Sequence, residues 1–298
     1  MTSRWLIVGG SGMLGHALCR TLTAEGFETW ATAKGNSVEP DANVLEVDLS
    51  GPFDVDKLIQ HASPDFIVYA AGLTDVDKCE ANEALAYRLH ATAACEFAKA
   101  APVQTKFVYI STDHLWDGTM ENVSEDEPAK PLNAYARTKA IGERLVGGVD
   151  PDALILRTNF FGTGLKWRKS LSDWMFERLS SGQQLNAFVD AFFTPIAMPL
   201  LSSAIVSATE KGFAGIYHCC GSERISKFEF AQRLAEHCGL DGSLIVPSRL
   251  SEASLKAARP LDMSLSTDKL ARALGHPLPR LDESLRAISF PGSGERGK

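Results

Sequence analysis

The chain has 298 residues, enough for one or two domains with a sizeable core, and 45% hydrophobic with 22% charged residues is an ordinary water-soluble profile. A formal charge of −7 argues against nucleic acid or an acidic membrane surface as a general partner, and no apolar run reaches membrane-spanning length, so neither a membrane span nor a signal peptide is expected. Six cysteines, none in a C-x-x-C pair, suit reduced thiols in a cytoplasmic protein, and seven histidines without ligand spacing predict no metal site.

Trp5 to Val8 is an apolar run that stops at Gly9, the pattern of a central parallel strand buried on both faces. Glycines follow at Gly9, Gly12 and Gly15, and Leu14, Leu18 and Leu22 recur every four residues, so a helix starts near Ser11. A turn without side chains brings a pyrophosphate to the backbone N–H groups at the start of that helix. Gly9 makes the turn, Gly12 allows close approach, and Gly15 lets helix and strand pack. Gly9, Ser11, Gly12, Met13, Leu14 and Gly15 are the candidate cofactor residues. The bland alternative is a tight turn in a Rossmann-like domain that binds nothing.

Phe27 to Ala33 reads as the second strand and Val44 to Val47 as the third. An NAD site would place an acid after strand two to meet the ribose 2′-OH. The stretch Ala31 to Asn36 has none, and Lys34 suits a 2′-phosphate, so NADPH is expected over NADH; a solvated loop lysine is the competing reading. Asp48 and Leu49 border the adenine. Phe53 to His61 is a short helix, and Phe66 to Ala70 a fourth strand. The small residues Ala70, Ala71 and Gly72 then allow the cofactor close to the backbone. Cys79 to Ala100 reads as one long Ala-rich helix with Leu85, Leu89 and Phe97 on one face.

Phe107 to Ile110 is the fifth strand and runs into Ser111, Thr112, Asp113 and His114. Asn133 caps a helix reaching Val146. Tyr135 and Lys139 stand four residues apart on it and project from one face. A phenol near ammonium and nicotinamide cations has its phenolate favoured, so its pKa is expected to fall towards neutrality. Such a tyrosine passes a proton to or from a sugar oxygen. Ala153 to Leu156 is the sixth strand. The alternation implies an α/β fold, a Rossmann-type doubly wound parallel sheet, with ligands beyond the C-terminal strand ends.

The second half is less regular, with helices expected at 170–181, 199–210, 226–238 and 267–274 and strands at 185–189 and 215–219. Trp167, Arg168 and Lys169 read as a surface loop or a lid. Arg259 precedes Pro260 in a loop, where a bidentate guanidinium suits a diphosphate. The tail from Pro291 to Lys298 is expected to be disordered.

The stretches GGSGMLG (9–15), AAGLTDVDKCE (70–80), STDHLWDG (111–118), PLNAYARTK (131–139), ILRTNFFG (155–162), GIYHCCGSERISKFEFA (215–231) and RPLDMSLSTDKL (259–270) span nearly the whole chain. In them the sequence resembles the extended short-chain dehydrogenase/reductases, and among these the dTDP-4-dehydrorhamnose reductases. The resemblance implies an NAD(P)-binding Rossmann domain over residues 1–158, with about 185–218 returning to it. It implies a smaller sugar-nucleotide lobe from 159–184 and 219–298. It further implies hydride transfer to the 4-keto group of a nucleotide-activated deoxysugar by a monomer or homodimer. Carried over by position, Thr112, Tyr135 and Lys139 are the catalytic set, and Tyr135 and Lys139 also hold the cofactor. Thr74, Thr112, Asp113, His114, Asn159, Phe160 and Arg259 face the substrate. His114, the Asn159-Phe160 pair and Ala191 to Pro195 depart from the family pattern and leave the sugar and nucleotide open. A sugar-nucleotide epimerase of the same family and a non-catalytic NADP-binding regulatory subunit are the alternative functions.

Overall fold

A computed structural model describes residues 2–290; the expected disorder after Phe290 lies outside the described residues. The first half runs β1 (Arg4–Val8), α1 (Met13–Ala24), β2 (Glu28–Ala33), β3 (Asn43–Glu46), α2 (Val55–Ala62), β4 (Phe66–Tyr69), α3 (Val76–Ala81), α4 (Glu83–Tyr87), α5 (Ala93–Ala100), β5 (Lys106–Ile110), α6 (Ala134–Val149) and β6 (Leu154–Arg157). The second half runs β7 (Phe160–Phe161), α7 (Leu171–Ser180), β8 (Leu185–Phe188), β9 (Phe192–Phe193), β10 (Ile196–Ala197), α8 (Met198–Glu210), β11 (Gly215–His218), β12 (Ile225–Ser226), α9 (Lys227–Cys238), β13 (Ile245–Ser248), α10 (Asp268–Leu274) and α11 (Leu281–Arg286).

Seven parallel strands form the central sheet in the order β11-β6-β5-β4-β1-β2-β3. Successive side chains of a strand point to opposite faces, and β1 shows the consequence. Trp5 and Ile7 pack with Leu14, Leu18 and Leu22 of α1 and with Leu201 and Ile205 of α8. Leu6 and Val8 pack on the other side with Ile59 of α2 and Phe97 of α5. Each face is thus covered by helices, as a doubly wound sheet requires. A separate cluster, built from Phe161, Met175, Leu179, Leu185, Phe193, Phe230 and Leu234, is the core of a smaller lobe. Leu270 and Leu274 of α10 belong instead to the sheet core, although they lie within 219–298.

The expected helix from Cys79 to Ala100 is corrected by the structure. It starts earlier, at Val76, with the Asp75 carboxylate accepting the Lys78 N–H. It breaks at Asn82, whose φ of −146° and ψ of 74° are not helical and whose side chain caps a second helix. Residues Arg88–Thr92 then form a π-helical turn. Widening the turn there alters the carbonyl pairing, and two tyrosines of the sheet complete it. Tyr69 donates to the Leu89 carbonyl and Tyr109 to the His90 carbonyl, both at 2.7 Å.

Candidate active site

The glycine turn is fastened to its neighbour strand. The Gly9 N–H donates to the Thr32 hydroxyl and the Gly10 N–H to the Thr32 carbonyl, both at 2.9 Å. Gly9 has φ +94°, and a Cβ there would lie 2.8 Å from the Ala71 backbone, so only glycine fits. A Cβ on Gly15 would lie 2.1 Å from the Gly9 carbonyl oxygen, which is the close helix–strand packing expected of that position. Gly12 is the N-cap of α1 and supplies no side-chain acceptor to the helix's first N–H groups. These donors are left for an anion, helped by the positive end of the helix.

From this turn a cleft of about 870 Å³ extends across the C-terminal ends of the strands. Of the candidates named from sequence it is lined by Gly9, Ser11, Gly12, Met13, Leu14, Lys34, Asp48, Leu49, Ala70, Ala71, Gly72, Thr74, Thr112, Asp113, His114, Tyr135, Lys139, Asn159 and Phe160. Gly15 and Arg259 do not line it. The Arg259 guanidinium donates instead to Asp77 and to the Ala257 carbonyl, both at 2.9 Å. Asp77 also accepts the Ala257 N–H and fastens this loop to α3. The diphosphate contact expected of Arg259 is therefore not what its geometry presents. Lys34 forms a 2.6 Å ion pair with Asp48 at the cleft edge.

Asn133 caps α6 by accepting the Ala136 N–H at 2.9 Å and donates to the Ala258 carbonyl. Tyr135 thereby enters the cleft in the first turn, buried to 8% exposure. Two imidazoles, His90 and His114, pack edge-on against it, each with ring centroids 5.5 Å away. His90 is held by Thr138 at 2.8 Å and by the Leu73 N–H at 3.0 Å. Burial drives its pKa well below the ordinary value, so it stays neutral. Thr112 accepts the His114 N–H at 3.2 Å and its hydroxyl favours the Tyr135 phenolate.

One turn on, the Lys139 ammonium donates to the Ile110 carbonyl at 2.7 Å and lies 4.8 Å from the centroid of the Tyr109 ring. Burial pulls its pKa down to about 8. The fall expected for the Tyr135 phenol is corrected here: burial holds its pKa well above the ordinary value. Desolvation of the phenolate outweighs the neighbouring cations, because Lys139 is turned onto the end of β5. Beneath, Ser111 donates to Glu143 at 2.5 Å and Arg157 forms a bidentate pair with the same carboxylate.

Trp167 and Arg168, read as a surface loop or a lid, reach across the cleft, Trp167 to the Ser11 carbonyl at 3.3 Å and Arg168 to the Thr74 hydroxyl. Sequence reasoning missed other lining residues. Lys227, Thr158 and Leu171 also line the cleft. His90 was hidden in an alanine-rich helix pattern. Asn159 donates to Asp113 at 2.5 Å, while the buried Nδ1 of His114 and Oγ1 of Thr158 have no partner among the described residues.

The family model described as RmlD substrate binding domain matches residues 3–289. A dTDP-4-dehydrorhamnose reductase of Mycobacterium tuberculosis is 28% identical, over 98% of this chain and 94% of its own. The structure of a hypothetical dTDP-4-dehydrorhamnose reductase from Sulfolobus tokodaii is 32% identical with a TM-score of 0.85, covering 96% of this chain and 100% of that one. That of a Bacillus anthracis dTDP-4-dehydrorhamnose reductase in complex with NADP is 24% identical with a TM-score of 0.84, over 97% and 99% of the two chains.

Proposed function

Because the chain belongs to the RmlD substrate binding domain family, we propose that it is an NADPH-dependent reductase of the 4-keto group of a nucleotide-activated 4-keto-6-deoxysugar. In this reading it works in the cytoplasm, its sheet domain holding the dinucleotide and the smaller lobe the sugar nucleotide. The observation that carries the reading is that Thr112, Tyr135 and Lys139 all line the cleft that starts at the glycine turn.

The residues present fit a dinucleotide. Gly9 and Gly12 form a cradle that a Cβ at Gly9 would obstruct, and the start of α1 has unclaimed backbone donors. Lys34 and Lys139 both line the cleft; in this reading Lys34 would meet a 2′-phosphate and Lys139 would donate to a ribose. When bound, the reduced nicotinamide supplies the hydride for a carbonyl carbon.

The chain's own part is proton delivery and polarisation. Thr112 donates a hydrogen bond to the keto oxygen and draws electron density from the carbonyl. The Tyr135 phenol, kept protonated by burial, gives its proton to that oxygen as negative charge develops on it. Lys139 keeps a positive field beside the reacting centre, and Asn159 fixes the Asp113 carboxylate behind it. The neutral imidazoles of His90 and His114 pack edge-on against the phenol ring and restrain it.

The test is incubation with NADPH and a panel of nucleotide 4-keto-6-deoxysugars, following loss of NADPH absorbance. Stoichiometric NADPH consumption with one of the sugars is expected. No consumption with any of them would overturn the reading, and conversion of a sugar nucleotide without net NADPH consumption would make the protein an epimerase.

A further inference from the structure

Lys227 is the first residue of α9, which Ser226 caps by accepting the Glu229 N–H at 3.0 Å. Its side chain lines the cleft that Thr112, Asp113 and Asn159 also line, near enough for the Asp113 carboxylate to act on it. This is an adverse place for a cation, relieved on one side by an aromatic face. The first turn of a helix is its positive end. The ammonium is packed 3.1 Å from the centroid of the Phe193 ring, and burial pulls its pKa down to about 7. Among the described residues no carboxylate comes within ion-pair distance of it. Asp113 attracts it from farther away, but that carboxylate already accepts from Asn159 at 2.5 Å and Thr112 at 3.3 Å.

A desolvated cation is compensated by an adjacent aromatic face, by loss of its proton, or by an anion. The Phe193 ring supplies the first on one side, but among the described residues no oxygen accepts a hydrogen bond from the ammonium. Arg168 adds a second cation to the lining of the cleft and meets only the neutral hydroxyl of Thr74 there. The substrate end is therefore richer in positive charge than its own acids balance.

We infer that Lys227 is a specificity-determining residue that binds an anionic oxygen of the substrate, either a carboxylate on the sugar or an oxygen of the nucleotide's diphosphate. This inference rests on the sugar-nucleotide reading above. It adds a ligand contact from α9 in the cleft that the proposed proton donor also lines. A lysine serving only to pack on Phe193 would leave anion affinity untouched.

The experiment compares wild type, Lys227→Met, Lys227→Gln and Lys227→Arg, each saturated with NADP+, by calorimetric titration. The probes are dTDP, UDP and GDP, together with UDP-glucose and UDP-glucuronate, which differ by the sugar carboxylate. Both neutral variants are expected to lose about tenfold or more in affinity for at least one probe, and Lys227→Arg to keep most of it. An equal loss for a nucleoside diphosphate and its sugar conjugate identifies the diphosphate as the source. A loss confined to UDP-glucuronate identifies the carboxylate. Unchanged affinities for every probe in the neutral variants overturn the inference, as does failure of wild type to bind any of them. NADP+ affinity and melting temperature report whether each variant is folded, and Lys227→Gln stands in should Lys227→Met not be. The readout is binding, so it separates from the reductase assay. Loss of anion binding in a protein that consumes no NADPH would sustain the role of Lys227 and defeat the reduction.

Discussion

Tyr135 is held as a proton donor rather than as a poised base. Burial against two imidazole edges disfavours its phenolate, and reduction of a ketone consumes a proton, so the protonated phenol is the working form. Tyr135→Phe keeps the ring and its packing and removes only that proton. Steady-state kinetics should show kcat lower by about 10²–10⁴ with NADPH affinity nearly unchanged; full activity would exclude Tyr135 as the donor. Lys34 permits a second prediction at this scale. Its ammonium is exposed and shared with Asp48 at 2.6 Å, and this pair holds the Asp48 carboxyl below its usual range. If the cation also meets a 2′-phosphate, Lys34→Ala should narrow the ratio of NADPH to NADH affinity by about tenfold, the worth of one charge-assisted bond. Asp48→Asn frees the cation and should widen it. Equal affinities of wild type for the two cofactors would remove the argument. Cleft-lining positions were legible where they sit in a short motif, as Tyr135 and Lys139 do on one helix. The Arg259–Asp77 ion pair was not legible, because the two residues lie 182 positions apart and nothing local announces it.

Among the elements, the central strands were readable because each is a short apolar run buried on both faces, and α6 because Asn133 caps it where its side chain predicts. The π turn at Arg88–Thr92 was not readable. Its residues have the composition of the helices on either side, and what widens the turn comes from other elements: Tyr69, Tyr109 and the close approach of α6. That approach is made at Gly142, where a Cβ would lie 2.3 Å from both the His90 carbonyl oxygen and the Tyr109 hydroxyl. Both neighbours are fixed, one as backbone and the other by its own 2.7 Å hydrogen bond to that carbonyl. Gly142→Ala should therefore push α6 away from the π turn rather than be absorbed. Chemical denaturation should show a loss of about 1–3 kcal/mol, the usual cost of overpacking a core. Because α6 carries Tyr135 and Lys139, kcat should also fall while the melting transition stays cooperative. Wild-type stability and rate in Gly142→Ala would show that the helix tolerates the displacement. The two-residue strands β7, β9, β10 and β12 escaped for a different reason: they are too short for any alternation to be seen, and their pairing partners lie in other segments.

At the scale of the whole molecule, the sheet was visible in the sequence and the lobe only in outline, since its core joins Phe161, Phe193 and Phe230 across three separate segments. The cleft beside it has an electrostatic signature that can be measured. Lys139 is 5% exposed, and its pKa in the folded protein is about 8 against its ordinary 10.5. Between those two pH values the unfolded chain holds a proton at this position that the folded protein has released. Stability from this group therefore rises with pH across that window. Below about pH 8 both states are protonated and the full cost of the buried charge is felt. The span between the limits is on the order of 3 kcal/mol. Other buried groups oppose this trend in the total: the thiol of Cys19, raised to about 12, stays protonated in the folded protein where the unfolded one ionises. A difference measurement cancels them. Lys139→Met abolishes the titration and leaves the Ile110 carbonyl without its 2.7 Å donor, a cost that does not depend on pH. The melting temperature of Lys139→Met minus that of wild type should accordingly be flat below about pH 8 and then decline steadily towards pH 10.5, whatever its absolute sign. A difference that stays constant through that window, or grows, would mean that Lys139 keeps its ordinary pKa and is not desolvated in the fold. The same variant should be catalytically crippled, since the donor proposed for the cofactor's ribose is gone. A decline confined to that window is the expected mark of a buried charge whose retention costs the fold stability.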